Sequence, residues 1–222
     1  MLGKFKEILT KLFVPVAQGA VRVGLTPNRI TILGFILSIV SSIFLVGKLI
    51  YPINLVDEGW RLIIVSVTIF SVGFCDLLDG LVARSTGMIT SFGGFLDSVL
   101  DRYTEVFIFA ALIIAGYCNT IWGIIALVGA LLVSYARARA EAAGLKNLGI
   151  GLAERPERLV ILGVAALIQG IIFLTSLIPP QQPTILYWTI ILLAFLTHFT
   201  VLQRFLYAYK RLPKTYKEEK KE

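Results

Sequence analysis

Six long apolar runs limit the folds open to this chain more than any other feature of its sequence. They lie at roughly 29–48, 61–82, 95–117, 120–138, 158–178 and 184–207. A helix needs about 20 mainly apolar residues to cross the hydrocarbon core of a bilayer. Hydrophobic residues make up 57% of the 222 positions and charged residues only 16%, more apolar surface than a soluble domain of this size buries. We therefore predict an all-α integral membrane bundle of six transmembrane helices.

The distribution of lysine and arginine predicts the orientation of this bundle. Cytoplasmic loops of membrane proteins carry an excess of both residues. If the amino terminus is cytoplasmic, only Lys48 and Arg61 of the 21 lysines and arginines fall at the outer ends of spans. We expect a multi-pass protein of the cell membrane, with both termini in the cytoplasm and the functional site facing the cytoplasm.

The chain divides into three predicted segments. Residues 1–25 form an interfacial amphipathic helix, 26–210 the six-helix membrane domain and 211–222 a basic cytoplasmic tail. One apolar stripe defines the first segment, and lysines lie elsewhere on that helix; the stripe consists of Leu2, Phe5, Ile8, Leu9, Leu12 and Phe13. The basic tail is typical of a solvated cluster beside anionic lipid headgroups. No motif supports a nucleic acid partner.

Acidic residues interrupt the second and third apolar runs. An acid at the centre of a spanning helix costs about 2.5–3.5 kcal/mol on insertion scales, so such acids usually have a function. Asp76 and Asp79 are spaced i, i+3, and two residues with this spacing lie on the same face of a helix. Asp97 and Asp101 are spaced i, i+4, and Glu105 follows one turn later. Because the two runs are consecutive, we expect antiparallel neighbouring helices whose four aspartates converge near the inner membrane surface.

Converging carboxylates predict bound divalent cations. Like charges so close together repel one another, and a hard cation removes that penalty. Mg²⁺ or Mn²⁺ takes oxygen ligands, leaves positions open for phosphate oxygens and can act as a pair of ions. The sequence has no cluster of histidine and cysteine, which argues against zinc. Cys75, Cys118 and His198 all lie in apolar segments. The two cysteines are interpreted as packing residues and the histidine as a packing or hydrogen-bonding residue.

The spacing of these acids belongs to a longer pattern. The order is Asp76, Asp79, Gly80, Ala83 and Arg84, then eight residues, then Gly93, Asp97 and Asp101. It matches D-x-x-D-G-x-x-A-R-x(8)-G-x-x-x-D-x-x-x-D, and the chain therefore resembles the CDP-alcohol phosphotransferase family. The resemblance implies a metal-dependent enzyme that displaces CMP from a CDP-activated lipid, CDP-diacylglycerol or CDP-archaeol, and it implies a homodimer.

The resemblance also implies roles for individual residues. The metal ligands would be Asp76, Asp79, Asp97 and Asp101, and Asp101 would also be the general base that takes the acceptor's proton. The run 26–31 resembles the family's start of the first span, although a simple helix start explains it equally well. The implied contacts to the CDP-lipid are Asn28, Arg29, Thr31, Gly80, Arg84 and Thr90.

Two later stretches, 134–144 and 149–159, resemble the bacterial and archaeal branch of the family that uses inositol 1-phosphate as acceptor. An acceptor with its own phosphate needs a cationic pocket. The candidates for that pocket are Arg137, Arg155 and Arg204, with Arg139 and Arg158 in reserve. A phosphatidylglycerophosphate synthase using glycerol 3-phosphate is an alternative within the family. A cation-coupled transporter and a structural membrane tether are alternatives of other classes, but neither explains the ordered spacing of the acids with glycine and arginine.

Overall fold

The computed structural model describes residues 13–50, 57–145, 150–175 and 185–213, and regular structure within these ranges is exclusively helical. The helical part of the first range begins with α1, residues 13–22. The six long helices are α2 (Pro27–Ile50), α3 (Glu58–Thr86), α4 (Ser91–Ile114), α5 (Thr120–Ala142), α6 (Arg155–Leu174) and α7 (Ile185–Arg211). Each predicted apolar run therefore corresponds to one long helix, and the prediction of an all-α fold is confirmed.

Five of these helices are long and apolar enough to cross a membrane, namely α2, α3, α5, α6 and α7. The remaining helix, α4, has 24 residues but carries Arg102 in addition to Asp97, Asp101 and Glu105. The protein is thus a multi-pass helical membrane protein, and the sixth span stays a prediction.

A short connection between α3 and α4 fixes the ends of the two acidic helices. Helix α3 ends at Thr86 and is capped by Gly87, whose φ of 70° is the left-handed conformation that glycine adopts without strain. Helix α4 begins after Thr90, whose hydroxyl accepts a 2.9 Å hydrogen bond from the amide of Gly93. The end of α3 therefore lies next to the start of α4, as the sequence predicted.

The six long helices pack as a closed ring in the order α2, α3, α6, α7, α5, α4. Consecutive helices α3 and α4 both pack against α2, and backbone packing between α3 and α4 themselves is marginal at most. The two helices are therefore neighbours at their connection and across the acidic cleft, but their backbones do not pack closely along their lengths. Because α2 contacts both of them, acidic side chains from α3 and α4 meet across a cleft between the helices.

Small residues allow α3 and α6 to approach closely and fix their register. A Cβ at Gly170 would lie 2.8 Å from the carbonyl oxygen of Gly59, so only glycine fits there. Farther along, the hydroxyl of Ser66 donates a 2.7 Å hydrogen bond to the carbonyl of Gly163. Residue numbers rise along one helix as they fall along the other, so the pair is antiparallel. This register brings the start of α6 beside the acidic half of α3.

Helix α1 covers the acidic half of α3. Ala17 and Ala20 are buried in a cluster with Cys75 and Leu78 of α3. The rings of Phe13 and Phe74 meet edge to face, with centroids 5.4 Å apart. Residues 2–12 of the predicted amphipathic stripe lie outside the described residues, as do 214–222 of the predicted tail.

Candidate metal and substrate site

Three carboxylates from two helices converge in the cleft between α3 and α4. Oxygen atoms of Asp76, Asp97 and Asp101 lie within 4.8 Å of one another, and all three residues are half-buried. Asp97 and Asp101 are one turn apart on α4, so their shared face points at Asp76 of α3. The convergence of the two acidic faces is therefore present for these three aspartates.

The fourth aspartate, Asp79, has a different environment. It is only 8% exposed, and its Oδ2 accepts a 2.7 Å hydrogen bond from the hydroxyl of Thr31. Thr31 belongs to the first turn and a half of α2, where its hydroxyl also lies 3.1 Å from the carbonyl of Pro27. Helix α2 thus holds Asp79 to one side of the group of three.

Arg155, at the first residue of α6, bridges two of the three carboxylates. Its Nη1 is ion-paired with Oδ1 of Asp76. Its Nη2 lies 2.9 Å from Oδ1 of Asp101. The side chain is 12% exposed, so this bridge is largely shielded from water. Sequence reasoning predicted Arg155 as an acceptor contact and did not predict its contact with the acids.

The residues of the cleft fit a hard divalent cation. The donor atoms are carboxylate oxygens, which Mg²⁺ and Mn²⁺ prefer. Oδ1 of Asp97 is buried and has no hydrogen-bond partner among the described residues. A buried carboxylate oxygen without a partner is costly, and a cation bound between Asp97 and its two neighbours would remove that cost.

A cavity of about 350 Å³ opens beside the carboxylates, between α2 and the connection from α3 to α4. Asp79 and Asp97 lie on its wall, so it is continuous with the acidic cleft. It also brings together five of the six predicted CDP-lipid contacts, which are Asn28, Thr31, Gly80, Arg84 and Thr90. The sixth, Arg29, is exposed, and its Nη1 donates to the carbonyl of Gly24 at 3.1 Å.

Two glycines keep this cavity open. A Cβ at Gly80 would lie 3.1 Å from Nη1 of Arg84, which is one turn farther along α3. A Cβ at Gly93 would lie 2.9 Å from Oγ1 of Thr90 and 3.0 Å from Oδ1 of Asn28. Side chains at either position would push polar groups of the cavity wall out of place.

The predicted acceptor arginines do not share one pocket in the described residues. Arg204 is 2% exposed, and its guanidinium donates to the carbonyls of Ile150 and Val133 and, at 2.7 Å, to Oε1 of Glu154. Arg137 is half exposed and forms a 2.9 Å ion pair with Glu141 on the same helix. The reserve candidate Arg139 is exposed. Of these predicted arginines, Arg155 alone contacts the group of three aspartates within the described part of the chain. Arg102, which was not predicted, also lies near the group, with its Nη1 3.7 Å from Oδ2 of Asp101.

A second acid–arginine pair lies deeper than the cleft, and sequence reasoning missed it. Glu105 is 3% exposed and Arg158 is 1% exposed, and both Nε and Nη2 of the arginine donate to Oε1 of Glu105. Glu105 follows Asp101 by four residues, and Arg158 follows Arg155 by three. Helical spacing places Glu105 on the face of Asp101 and Arg158 on the face of Arg155, but it gives no signal that these two faces, 53 residues apart in sequence, meet.

The fold and the site together define a class of protein, a helical membrane protein with a metal-competent carboxylate cluster beside a cavity whose wall includes polar side chains. The sequence profile of the family described as CDP-alcohol phosphatidyltransferase matches residues 24–199. The chain belongs to this family and is a membrane-bound transferase.

Individual relatives cover nearly the whole chain. An archaetidylinositol phosphate synthase of Methanothermobacter thermautotrophicus is 35% identical over 213 residues, which are 96% of this chain and 96% of the relative. An archaetidylinositol phosphate synthase of Pyrococcus horikoshii is 35% identical over 77% of this chain and 85% of the relative.

The fold is also similar to crystal structures of the Mycobacterium tuberculosis phosphatidylinositol phosphate synthase. The structure with CDP-DAG bound has a TM-score of 0.70 and 31% identity, covering 92% of this chain and 96% of that one. The structure in complex with manganese and citrate has a TM-score of 0.70 and 32% identity, covering 90% of each chain.

Proposed function

We propose that this protein transfers a phosphatidyl or archaetidyl group from a CDP-lipid to inositol 1-phosphate and releases CMP. One observation carries the proposal: Arg155 and the carboxylates of Asp76, Asp97 and Asp101 meet at the edge of a cavity that contains Gly80 and Arg84. The relatives named as inositol lipid phosphate synthases support the choice of acceptor.

The cavity beside Asp79 binds the CDP part of the donor. Its volume, about 350 Å³, lies in the range of small-molecule sites, roughly 300–1,000 Å³. Arg84 pairs with the diphosphate through its planar guanidinium. Gly80 lets the diphosphate approach the backbone of α3. Asn28, Thr31 and Thr90 supply polar contacts from the opposite wall, and the lipid chains remain in the membrane.

The four aspartates hold Mg²⁺ or Mn²⁺, most simply as a pair of ions. When bound, these ions neutralise charge on the phosphate oxygens of the donor. Asp76, Asp97 and Asp101 already lie close enough to share one ion. Asp79 lies on the wall of the cavity together with Asp97 of this group, and Thr31 holds its carboxylate from the side of α2. This location suits a ligand that faces both the ions and the diphosphate.

Asp101 acts as the general base. Its carboxylate takes the proton from the acceptor hydroxyl as the hydroxyl oxygen attacks the phosphorus that carries the lipid alcohol. The new bond joins that phosphorus to the acceptor oxygen. The bond to the phosphate of CMP breaks in line, and CMP leaves with the electron pair.

Arg155 orients the acceptor through its phosphate. Its guanidinium is next to Asp101, so a phosphate bound there brings the hydroxyls of the same molecule to the base. Arg137 and Arg204 remain predicted acceptor residues. The hydrogen bonds of Arg204 to Glu154 and to backbone carbonyls favour a role in holding the segment before Arg155.

The enzyme crosses the cell membrane six times, with both termini and the site in the cytoplasm, and acts as a homodimer. The distribution of lysine and arginine supports this orientation. A site at the cytoplasmic surface lets a lipid donor meet a water-soluble acceptor without either leaving its own phase.

An acceptor panel scored by CMP release tests the proposal. Purified protein receives Mn²⁺ or Mg²⁺, CDP-diacylglycerol or CDP-archaeol, and one of inositol 1-phosphate, glycerol 3-phosphate, free inositol or serine. We expect the fastest release with inositol 1-phosphate and little release with the unphosphorylated alcohols. Preference for glycerol 3-phosphate would reassign the acceptor, and no release with any acceptor would contradict the enzyme function. The Asp97→Asn variant is the inactive control.

A further inference from the structure

We infer that Arg155 is a built-in counter-ion of the carboxylate cluster, and that divalent metal and acceptor phosphate bind with positive coupling because both act on this one guanidinium. The inference rests on the proposed function and extends it, since it adds a regulatory link between two ligands of the same site.

The first observation is the position of the guanidinium. Arg155 pairs with Oδ1 of Asp76 through Nη1 and with Oδ1 of Asp101 through Nη2. These two residues and Asp97 form the group whose oxygens lie within 4.8 Å of one another. A cationic side chain therefore contacts two of the three acids that fit a metal ion.

Two cations at such short range repel each other strongly in a partly buried site. Metal held by Asp76 and Asp101 therefore weakens the hold of these acids on Arg155. Conversely, Arg155 in its bridging position weakens the binding of metal. Removing the positive charge at residue 155 should consequently tighten metal binding. If Arg155 instead helped to hold the metal ligands in place, its removal would weaken metal binding.

The second observation concerns the backbone around Arg155. Hydrogen bonds fix this backbone, whereas the Arg155 side chain leaves one of its nitrogens without a hydrogen-bond partner among the described residues. Thr200 accepts hydrogen bonds from the amides of Leu152 and Ala153, each 3.2 Å long. On the other side, Arg158 is tied to Glu105 and to the carbonyl of Ala153. Since the start of α6 is anchored on both sides, release of Arg155 is a side-chain rotation rather than a helix movement.

The guanidinium also has donors to offer once it is released. Its Nε is buried and has no hydrogen-bond partner among the described residues. Phosphate accepts paired N–H donors from arginine in a fork geometry. Metal binding thus frees a guanidinium for the acceptor phosphate, and by thermodynamic linkage the phosphate must favour metal binding by the same factor.

Mn²⁺ titration of the full chain in detergent micelles tests the inference without turnover, because the electron paramagnetic resonance signal of free Mn²⁺ reports binding directly. We expect Arg155→Gln to lower the dissociation constant for Mn²⁺ by about tenfold, within the usual span of coupling factors. Arg211→Gln at the exposed end of α7 makes the same change of side chain outside the predicted site and should leave the constant unchanged. An Arg155→Gln variant that binds Mn²⁺ no more tightly than the wild type would overturn the inference.

The coupling is measured by repeating the titration with inositol 1-phosphate, and separately with inorganic phosphate. We expect either anion to tighten Mn²⁺ binding to the wild type, and this gain to be largely lost in Arg155→Gln. An equal gain in both proteins would mean that the anion acts on the metal alone and would refute the link. Arg155→Lys keeps the charge but cannot bridge both acids, so its Mn²⁺ affinity should be intermediate; this variant decides the matter if the glutamine variant does not fold.

The results of these titrations distinguish a failure of the inference from a failure of the proposed function. If inositol 1-phosphate were not the acceptor, the tighter Mn²⁺ binding of Arg155→Gln would persist, and inorganic phosphate would couple while inositol 1-phosphate would not. If the acceptor panel succeeds but Mn²⁺ affinity is unaffected by residue 155, the proposed function stands and the inference falls.

Discussion

The hydroxyl of Thr31 donates a 2.7 Å hydrogen bond to Oδ2 of Asp79, across 48 residues of sequence. This bond joins the first turns of α2 to the acidic half of α3 at the wall of the cavity. It orients a carboxylate that would otherwise be free to rotate in a cleft with other acids. Thr31, which the sequence predicted as a contact to the CDP-lipid, therefore also orients Asp79, a predicted metal ligand.

Replacing Thr31 by valine should impair the enzyme without unfolding it. Valine has nearly the same shape but leaves the buried carboxylate of Asp79 with one fewer partner, which costs about 1–3 kcal/mol. We expect kcat/KM for the CDP-lipid to fall by about tenfold. Thr68→Val is the matched control on α3, because within the described part of the chain the Thr68 hydroxyl donates only to carbonyls of its own helix. Equal activity of the two variants would argue against the support role.

Replacing Gly80 by alanine should weaken donor binding more than it affects stability. The added methyl would lie 3.1 Å from the Arg84 guanidinium, and the end of that flexible side chain must move. Alanine itself favours the helix by about 1 kcal/mol. We expect a higher KM for the CDP-lipid, measured by CMP release, and a melting temperature that is not lowered. Gly73→Ala on the same helix meets only Leu159 at 3.9 Å and should leave KM unaltered.

Replacing Asp101 by asparagine should abolish turnover while sparing donor binding. Removal of a general base costs about 10²–10⁴-fold in rate, and the amide cannot take the acceptor proton. Binding of the CDP-lipid, measured at equilibrium without acceptor, should persist because the donor cavity is lined by other residues. Glu157→Gln changes an exposed acid on α6 and serves as the control. Near-normal kcat in Asp101→Asn would assign the base elsewhere.

Breaking the buried pair of Glu105 and Arg158 should destabilise the bundle. Loss of one partner leaves an unpaired buried charge, and such losses cost about 3–5 kcal/mol. We expect Glu105→Met and Arg158→Met each to lower the free energy of unfolding, measured by denaturation in mixed detergent micelles. Glu141→Gln breaks the exposed pair with Arg137 and should cost under about 1 kcal/mol.

A double variant of Glu105 and Arg158 distinguishes the cost of leaving one buried charge unpaired from the cost of changed packing. Glu105→Met combined with Arg158→Met removes both charges together, and such replacements are often near neutral. We expect the double variant to be more stable than either single variant. Strictly additive losses would show that the two side chains do not stabilise each other.

Much of the fold and part of the site could be predicted from the sequence. Apolar runs of about 20 residues predict long helices because the bilayer has a fixed thickness. The spacing of Asp76, Asp97 and Asp101 predicts their helix faces because the helical period is local. The same argument could not predict that Arg155 contacts two of these acids, since the residues are 79 and 54 positions away along the chain.

Tertiary structure decided how these helix faces are used. The order of helices in the ring puts α2 against both acidic helices, and it buries Arg204 among backbone carbonyls rather than in an open pocket. Periodicity determines which side chains share a face, but close approaches such as that of Gly59 to Gly170 determine which faces meet. Packing between helices in a membrane depends on such small residues and on polar pairs, and neither has a local signature in the sequence.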